Sequence, residues 1–250
     1  MHKTVDPELT SAAVIVLAGG SGTRVGAGIN KVYLPLAGRR VISWSFVWAR
    51  MLGNVTSHLL VVRPQDEELA RQVLAQEVPE LDVEVIVGGR TRHGSEQAAL
   101  DHLAGRIDAG EIDVVALHDG ARPLAGPAMF RLALDTAARV GGAVPALPAG
   151  EVLSIDPDGR LHTCEEIGAP PQQLVRVQTP QAFRARPLLE AYRRAGEAGH
   201  EGTDTASTVE EFSDLQVRVV PGSRRNLKVT FPHDLQVAEH LLGASAHELL

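Results

Sequence analysis

Three glycines and two cations follow directly after the first apolar run of the sequence, residues 13–17. They are Gly19, Gly20, Gly22, Arg24 and Lys31. Glycine lets backbone N–H groups approach an oxyanion closely. Arginine can donate paired hydrogen bonds to phosphate oxygens, and lysine adds a compact positive charge. The pattern therefore predicts a phosphate-binding loop, in which Lys31 has little part in the core.

Two common phosphate-binding motifs do not explain this loop. A Walker loop needs Gly-Lys-Ser/Thr at the start of a helix, and that tripeptide is not present here. The dinucleotide motif G-x-G-x-x-G can be aligned with residues 20–25, but Val25 occupies its last position and Lys31 is left without a role. A glycine-rich connector with two solvated cations remains the alternative that needs no ligand.

The elements that must position this loop alternate between short apolar runs and longer amphipathic segments, which predicts a mostly parallel sheet with helices on both faces. The predicted strands cover residues 13–17, 58–62, 83–87, 113–117, 142–145 and 216–220. The predicted helices cover residues 41–52, 66–76, 93–103, 127–139, 186–198, 205–212 and 232–242. Ligands of such Rossmann-like α/β sheets bind beyond the carboxyl ends of the strands, where the glycine loop lies.

One segment, residues 151–176, interrupts this alternation. Asp156-Pro157-Asp158-Gly159 is strong turn chemistry between two short apolar runs and predicts a β-hairpin. We expect one domain over residues 12–245, with 151–176 as a protruding β-arm that could form a homodimer. A surface hairpin without a partner is the alternative.

Composition narrows the function classes. The chain has 250 residues, of which 44% are hydrophobic, and a formal net charge of −7, which disfavours a nucleic-acid partner. The single cysteine excludes an intramolecular disulfide and favours a reducing compartment. No apolar run is long enough to span a bilayer, and the N-terminus does not resemble a signal peptide. We therefore expect a cytoplasmic protein that does not bind membranes.

Seven blocks, in order along the chain, resemble the cytidylyltransferases that join CTP to a polyol phosphate, and in particular the 2-C-methyl-D-erythritol 4-phosphate cytidylyltransferase family. The blocks are Leu17-Ala18-Gly19-Gly20-x-Gly22-x-Arg24, Lys31-x-x-Leu34-Pro35-Leu36, Gly88-Gly89-x-x-Arg92-x-x-Ser95, His118-Asp119-x-Ala121-Arg122-Pro123, Gln178-Thr179-Pro180-Gln181-x-Phe183, Thr203-Asp204-x-Ala206-Ser207 and Asn226-x-Lys228-Val229-Thr230-x-Pro232. The resemblance covers nearly the whole chain. It implies a Rossmann-like fold and transfer of CMP from CTP to a small phosphorylated acceptor.

The resemblance also implies roles for individual residues. The catalytic residues would be Arg24, Lys31 and Lys228. The nucleotide would be bound by Ala18, Gly19, Gly20, Gly22, Gly88, Gly89, Ser95, Asp119 and Gly120. The acceptor would be bound by Asp119, Arg122, Glu151, Arg176 and Lys228. Some simpler roles stay open: Lys228 as a solvated strand-end lysine, Asp119 as a turn cap, and Gly88-Gly89 as a strand terminator.

The same chemistry implies Mg²⁺, carried mainly by CTP, because metal ions bridge triphosphate oxygens. The sequence offers no dedicated set of carboxylates, so Asp119 is the one candidate for a protein contact to the metal. We expect His118 to be packed at a strand end, since an anionic acceptor phosphate needs no general base. The blocks at 178–183 and 203–207 are expected to support the loops around the site.

Some positions depart from the family pattern, mostly on the acceptor side. Arg90 replaces an acidic or polar residue that contributes to base recognition in the family, and Asn30 and Thr205 replace a proline and an acidic residue. Residues 148–151 lack the family's Asp-Thr, and Pro171 stands near its arm arginine, with Arg176 close by. An acceptor such as ribitol 5-phosphate or a phosphonate is therefore the alternative. A non-catalytic nucleotide-binding module and an NAD-dependent dehydrogenase are alternatives from other classes.

Overall fold

The computed structural model describes residues 10–20, 30–149, 154–155, 161–162, 174–202 and 204–246. The strands in these ranges are β1 Ala12–Leu17, β2 Pro35–Leu36, β3 Arg39–Arg40, β4 Val55–Val62, β5 Val83–Val87, β6 Val114–Asp119, β7 Gly141–Pro148, β8 Ser154–Ile155, β9 Leu161–His162, β10 Val175–Val177, β11 Gln181–Arg184 and β12 Gln216–Pro221. The helices are α1 Val41–Ala49, α2 Glu67–Glu77, α3 Arg92–Asp108, α4 Gly126–Val140, α5 Ala185–Glu197, α6 Thr205–Phe212 and α7 Pro232–Ala246.

Eight strands form the central sheet, and most of them are parallel. From one edge, β5, β4, β1 and β6 are parallel neighbours. Next comes β11, which is antiparallel to both β6 and β7, and β12 runs parallel to β7 at the far edge. Ala146 of β7 pairs with β10 on one side and with β12 on the other. Strand β10 therefore lies on the same side of β7 as β11, further along the strand. The predicted sheet is confirmed, apart from the two antiparallel strands, which the sequence did not predict.

The core lies on both faces of this sheet, as predicted. Alternate residues of β1 point to opposite faces, because successive side chains of a strand do so. Val14 and Val16 pack in the cluster beneath α1, α2, α4 and α7. Ala13 and Ile15 pack in the cluster beneath α3, α5 and α6. The buried strands therefore read as continuous apolar runs, and the polar site residues stand just beyond their ends.

Helix starts are fixed by side-chain caps where the site needs them. Thr91 accepts the backbone N–H of Gly94 at the start of α3. Asp204 and Ser207 form a capping box at the start of α6, so the block at 203–207 holds a helix end in place. Thr203 of that block lies outside the described residues. Helix α1 ends three residues earlier than predicted, and α3 continues five residues further.

In the described part of the predicted hairpin, β8 and β9 pair antiparallel, as expected. Most of the remaining arm, with Glu151 and Pro171, lies outside the described residues. Residues 175 and 176 of the predicted arm lie in β10 and therefore in the central sheet. None of the helices in the described ranges has the length and apolar character to cross a bilayer.

Candidate functional site

A cleft of about 350 Å³ opens beyond the carboxyl ends of β1, β5 and β6, where the sequence placed the ligand. It contains predicted site residues from four separate segments of the chain. These are Ala18, Gly19, Gly20, Lys31, Gly89, Ser95, Asp119 and Lys228. Gly22 and Arg24 lie outside the described residues.

On the β1 side, a buried asparagine joins the two ends of the glycine loop. The Asn30 Nδ2 group donates to the carbonyl of Ala18 at 2.8 Å and to Asp66 Oδ2 at 3.2 Å. Its side-chain oxygen accepts the backbone N–H of Val32 and thereby caps the short 3₁₀ helix Lys31–Tyr33. The lysine lies in this helix and is only 8% exposed, so the expectation that Lys31 has little part in the core is wrong.

On the β5 side, two glycines are required by close packing. A Cβ atom on Gly88 would lie 2.6 Å from the Ser95 hydroxyl, and one on Gly89 would lie 2.6 Å from the backbone of Gly94. The glycines therefore allow α3 to start directly against the end of β5. Ser95 donates within this turn, at 2.9 Å, to the carbonyl of Thr91. The strand-terminator role of Gly88-Gly89 and a ligand-facing role are compatible, because Gly89 also lines the cleft.

Asp119, at the end of β6, is the electrostatic centre of the cleft. Its Oδ1 accepts from Arg92 Nη1 at 2.5 Å, and its Oδ2 accepts from Lys228 Nζ at 2.7 Å. Arg122 Nε lies 3.8 Å from the same Oδ2 atom. Burial alone would raise the pKa of Asp119, but Arg92, Lys228 and Arg122 together hold it well below its usual range. The carboxylate is therefore ionised at any physiological pH.

Arg92 was not predicted as a site residue, although it belongs to the block that runs from Gly88 to Ser95. It lines the cleft and bridges two carboxylates, Asp119 and Glu96, with Nε donating to Glu96 Oε1 at 2.9 Å. Burial lowers the pKa of Arg92, and the two carboxylates more than reverse this effect. The signal that could have found it is the four-residue spacing of Arg92 and Glu96, which places them on one face of a helix.

His118 lies behind Asp119 and is fully buried. Its Nε2 lies 3.1 Å from the carbonyl of Arg122, which can only accept, so Nε2 carries the proton. Thr179 Oγ1 then donates to Nδ1 and accepts the backbone N–H of Asp119 at 3.0 Å. Burial lowers the pKa of His118 to about 4. A neutral, packed histidine at a strand end is what the sequence predicted, and Thr179 supports the site as expected.

The segment that carries Lys228 is tied down by buried amides. Asn226 Nδ2 donates to the carbonyl of Thr179 at 2.9 Å, and Gln178 Nε2 donates to the carbonyl of Ser223 at 2.8 Å. The backbone N–H of Val229 donates to the carbonyl of Ala121. Lys228 is therefore held beside Asp119, 109 residues away in the chain, and its simpler role as a solvated strand-end lysine does not fit.

The other predicted site residues lie in different places. Gly120 packs beneath the cleft, where a Cβ atom would collide with the Ile42 side chain. Arg122 is mostly buried and donates through Nη1 to the carbonyl of Asn226 at 2.8 Å. Arg176 is exposed on β10 and does not line the cleft. Glu151 lies outside the described residues.

The described residues do not form a protein cage for a metal ion. Three or more metal-ligating His, Cys, Asp or Glu side chains are nowhere grouped together in the part of the chain that the structure describes. Asp119, the one candidate contact, already has Arg92 on one oxygen and Lys228 on the other. A dedicated metal site built on Asp119 therefore does not fit this arrangement.

Comparison with known proteins agrees with this geometry. The family model of 2-C-methyl-D-erythritol 4-phosphate cytidylyltransferase matches residues 12–244. A protein of that name from Cereibacter sphaeroides (strain ATCC 17029 / ATH 2.4.9) is 39% identical over 95% of this chain and 99% of its own length. Another from Solibacter usitatus is 34% identical over 94% of this chain and 96% of its own length.

Solved structures give the same result for the fold. The 2-C-methyl-D-erythritol 4-phosphate cytidylyltransferase of Thermus thermophilus has a TM-score of 0.68 at 27% identity and covers 93% of this chain and 98% of its own. The 4-diphosphocytidyl-2C-methyl-D-erythritol synthase of Anaerococcus prevotii DSM 20548 has a TM-score of 0.76 at 24% identity, covering 94% of this chain and 97% of its own, and supports the fold alone. The chain therefore belongs to the 2-C-methyl-D-erythritol 4-phosphate cytidylyltransferase family, whose members are nucleotidyltransferases.

Proposed function

We propose that the protein transfers CMP from CTP to 2-C-methyl-D-erythritol 4-phosphate, a step in the synthesis of isoprenoid precursors. A phosphate oxygen of the acceptor attacks the α-phosphorus of CTP, and the bond from that phosphorus to the bridging oxygen breaks to release pyrophosphate. The observation that carries the proposal is the meeting of Lys31, Lys228 and Asp119 in one cleft at the carboxyl ends of the parallel strands. Membership of the family supports the same reaction.

The proposed chemistry rests on alignment and charge rather than on a protein nucleophile. Lys31, with Arg24, would neutralise the triphosphate from the β1 side. Lys228 would stabilise negative charge on the reacting phosphorus from the opposite side, 2.7 Å from the carboxylate that orients it. Arg122 and Asp119 would lie beside the acceptor, and His118 would take no part in proton transfer.

The proposed nucleotide contacts come mainly from backbone. Ala18, Gly19 and Gly20 line the cleft next to Lys31 and would face the phosphates, together with Gly22. Gly89 and Ser95 would face the cytosine, with Gly88 permitting the close approach of α3. Magnesium would enter bound to CTP, because the triphosphate itself supplies oxygen ligands. Gly120 would act through packing.

We also propose a homodimer that forms through the arm 151–176 of a single domain, 12–245. Four exposed valines on one face of the sheet support it: Val175, Val177, Val217 and Val219. Their partners on β7 are alternate residues, which places all four side chains on the same face. Val175→Glu, within the arm, should shift the mass measured by light scattering to that of a monomer, whereas Leu69→Glu, at an exposed position on α2, should not. A monomeric wild-type protein at micromolar concentration would contradict the proposal.

The departure at Arg90 lies beside Gly89, on the side of the cleft proposed for the cytosine. A different acceptor is the second candidate because of two other departures: residues 148–151 lack the family's Asp-Thr, and Pro171 stands near its arm arginine. Ribitol 5-phosphate and small phosphonates are therefore included as competing substrates.

The test is pyrophosphate release with CTP and magnesium for four acceptors: methylerythritol 4-phosphate, ribitol 5-phosphate, erythritol 4-phosphate and a simple phosphonate. The proposal expects turnover with methylerythritol 4-phosphate, and loss of it in Lys228→Ala. Turnover with another acceptor alone would replace the substrate but keep the reaction. A melting temperature raised by CTP, without pyrophosphate release from any acceptor, would indicate a non-catalytic nucleotide-binding module. A melting temperature raised by NAD and not by CTP would indicate a dehydrogenase.

A further inference from the structure

We propose that Glu96, which lies outside the cleft, is a positioning residue that sets the arrangement of Arg92, Asp119 and Lys228 for catalysis. The inference deepens the proposed function and rests on it. Glu96 is only 1% exposed and sits on α3, one helical turn after Arg92. A buried carboxylate is costly unless every oxygen finds a donor, so its partners define its role.

Three donors from three helices satisfy the Glu96 carboxylate. Arg92 Nε on α3 and Thr205 Oγ1 on α6 both donate to Oε1 at 2.9 Å. The Tyr192 hydroxyl on α5 donates to Oε2 at 2.5 Å. The guanidinium of Arg92 can only donate, so Oε1 accepts from it; burial raises the pKa of Glu96, and the charge of Arg92 and the three hydrogen bonds oppose this effect. Glu96 thus joins the start of α3 to both helices that pack on the same face of the sheet.

The consequence for the cleft follows from the shape of the guanidinium group. With Nε held by Glu96, the planar head of Arg92 has a fixed orientation, in which Nη1 donates to Oδ1 of Asp119. Oδ2 is then left for Lys228, with Arg122 at 3.8 Å. An Arg92 released from Glu96 could take both Asp119 oxygens as a bidentate pair and displace Lys228. Glu96 therefore determines which oxygen of Asp119 each cation occupies.

This network also accounts for a departure in the sequence. Thr205 stands where the family pattern has an acidic residue, and its hydroxyl donates to Glu96 at 2.9 Å. In this protein the buried carboxylate of the region is Glu96 on α3. A carboxylate at both positions would bring two like charges together in a buried place.

The experiment compares Glu96→Gln with Glu84→Gln, a matched substitution on β5 whose carboxylate pairs with His102 and Arg106 outside the cleft. We expect Glu96→Gln to lower kcat about 100-fold with little change in KM for CTP, because a misplaced group costs catalysis rather than binding. Glu84→Gln should retain wild-type kcat. Tyr192→Phe, which removes a single donor, should lower kcat in the same direction by about 5-fold.

The decisive measurement is the coupling to Lys228. If Glu96 acts through the chain of contacts to Lys228, adding Glu96→Gln to Lys228→Ala should lower kcat by less than about 3-fold beyond Lys228→Ala alone. Independent, multiplicative losses would overturn the proposal, because a structural role would lower kcat in either background. If Glu96→Gln does not fold, Tyr192→Phe takes its place in the same cycle.

A crystal structure of Glu96→Gln, or of Tyr192→Phe if it is the variant that folds, provides a readout that needs no activity. The expected change is a lost or bidentate Arg92–Asp119 contact with the helices unmoved. Arg92 still donating to Oδ1 alone, and Lys228 still on Oδ2, would overturn the positioning role. This result separates failure of the Glu96 proposal from failure of the proposed reaction, which the acceptor panel tests.

Discussion

Two of the three cations beside Asp119, Arg92 and Lys228, are held by the protein in opposite ways. Arg92 is backed by a second, fully buried carboxylate, so both sides of its guanidinium are committed to the protein. Lys228 lies on an irregular segment, and its side chain is 42% exposed. Within the described residues its one ionic contact is Asp119. We therefore expect Arg92 to contribute mainly to stability, and Lys228 to transfer its contact to a phosphate in the proposed reaction.

Removing Arg92 should give the largest loss of stability. Arg92→Met keeps the length of the side chain but leaves Glu96 buried without its cation and Asp119 with one fewer. Breaking a buried pair in this way costs about 3–5 kcal/mol. We expect that loss in the free energy of unfolding measured by urea denaturation. A loss below about 1 kcal/mol would mean that the two cations are not held differently.

Removing Lys228 should give the converse result. Lys228→Ala should lower kcat by about 100-fold or more, the usual cost of one lost transition-state contact. Its free energy of unfolding should change by less than about 1 kcal/mol, because the Lys228 side chain is 42% exposed and Arg92 still neutralises Asp119 after its removal. Steady-state kinetics and urea denaturation on the same preparation check both halves. A loss of unfolding free energy in Lys228→Ala as large as that in Arg92→Met would contradict the proposed difference between the two cations.

The support behind Asp119 should respond to pH. His118 has its pKa lowered from 6.5 to about 4, so the unfolded chain binds a proton first and stability is lost as the pH falls from 6.5 toward 4. The change is roughly 1 kcal/mol for the first pH unit. His118→Asn, which stays neutral, should show a shallower decrease in unfolding free energy between about pH 6.5 and 4.5. Parallel curves for the two proteins would assign the decrease to other groups.

The smallest effect is expected for Asn30, on the β1 side of the cleft, because amide hydrogen bonds rather than ion pairs hold the end of the glycine loop there. Asn30→Ala should lower stability by about 1 kcal/mol and kcat/KM by about 5-fold, since it removes a helix cap and the bond to Ala18. Asn30 has φ −63°, which proline also adopts, so Asn30→Pro should recover part of the loss. Equal losses in both variants would show that the backbone angle has no part in positioning Lys31.

The parallel half of the sheet was predictable because its strands are apolar and are separated by amphipathic helices. The antiparallel half was not. Strand β11 contains Gln181 and Arg184 and follows a proline, so its four residues carry no strand pattern, although it pairs on both edges. Its place depends on contacts with residues distant in the chain, and neither period nor turn chemistry encodes these.

The candidate site likewise has a part that was predictable from the sequence and a part that was not. Gly19, Gly20 and Gly89 line the cleft because their motifs follow strand ends, which parallel topology brings together. The network behind Arg92 was not predicted, because the partners that hold Glu96, Tyr192 and Thr205, follow it by 96 and 109 residues in the chain. Burial of Lys31 was mispredicted, since the sequence around it does not show that Asn30 starts a 3₁₀ helix there.

The docking of the segment 226–229 onto Ala121 and Asp119 has a consequence for the time at which the enzyme matures. During synthesis the N-terminal strands leave the ribosome first and can pair as they emerge. Lys228 follows its partner Asp119 by 109 residues in the chain. A nascent chain therefore cannot bring Lys228 to Asp119 until at least 109 further residues have been added after that carboxylate.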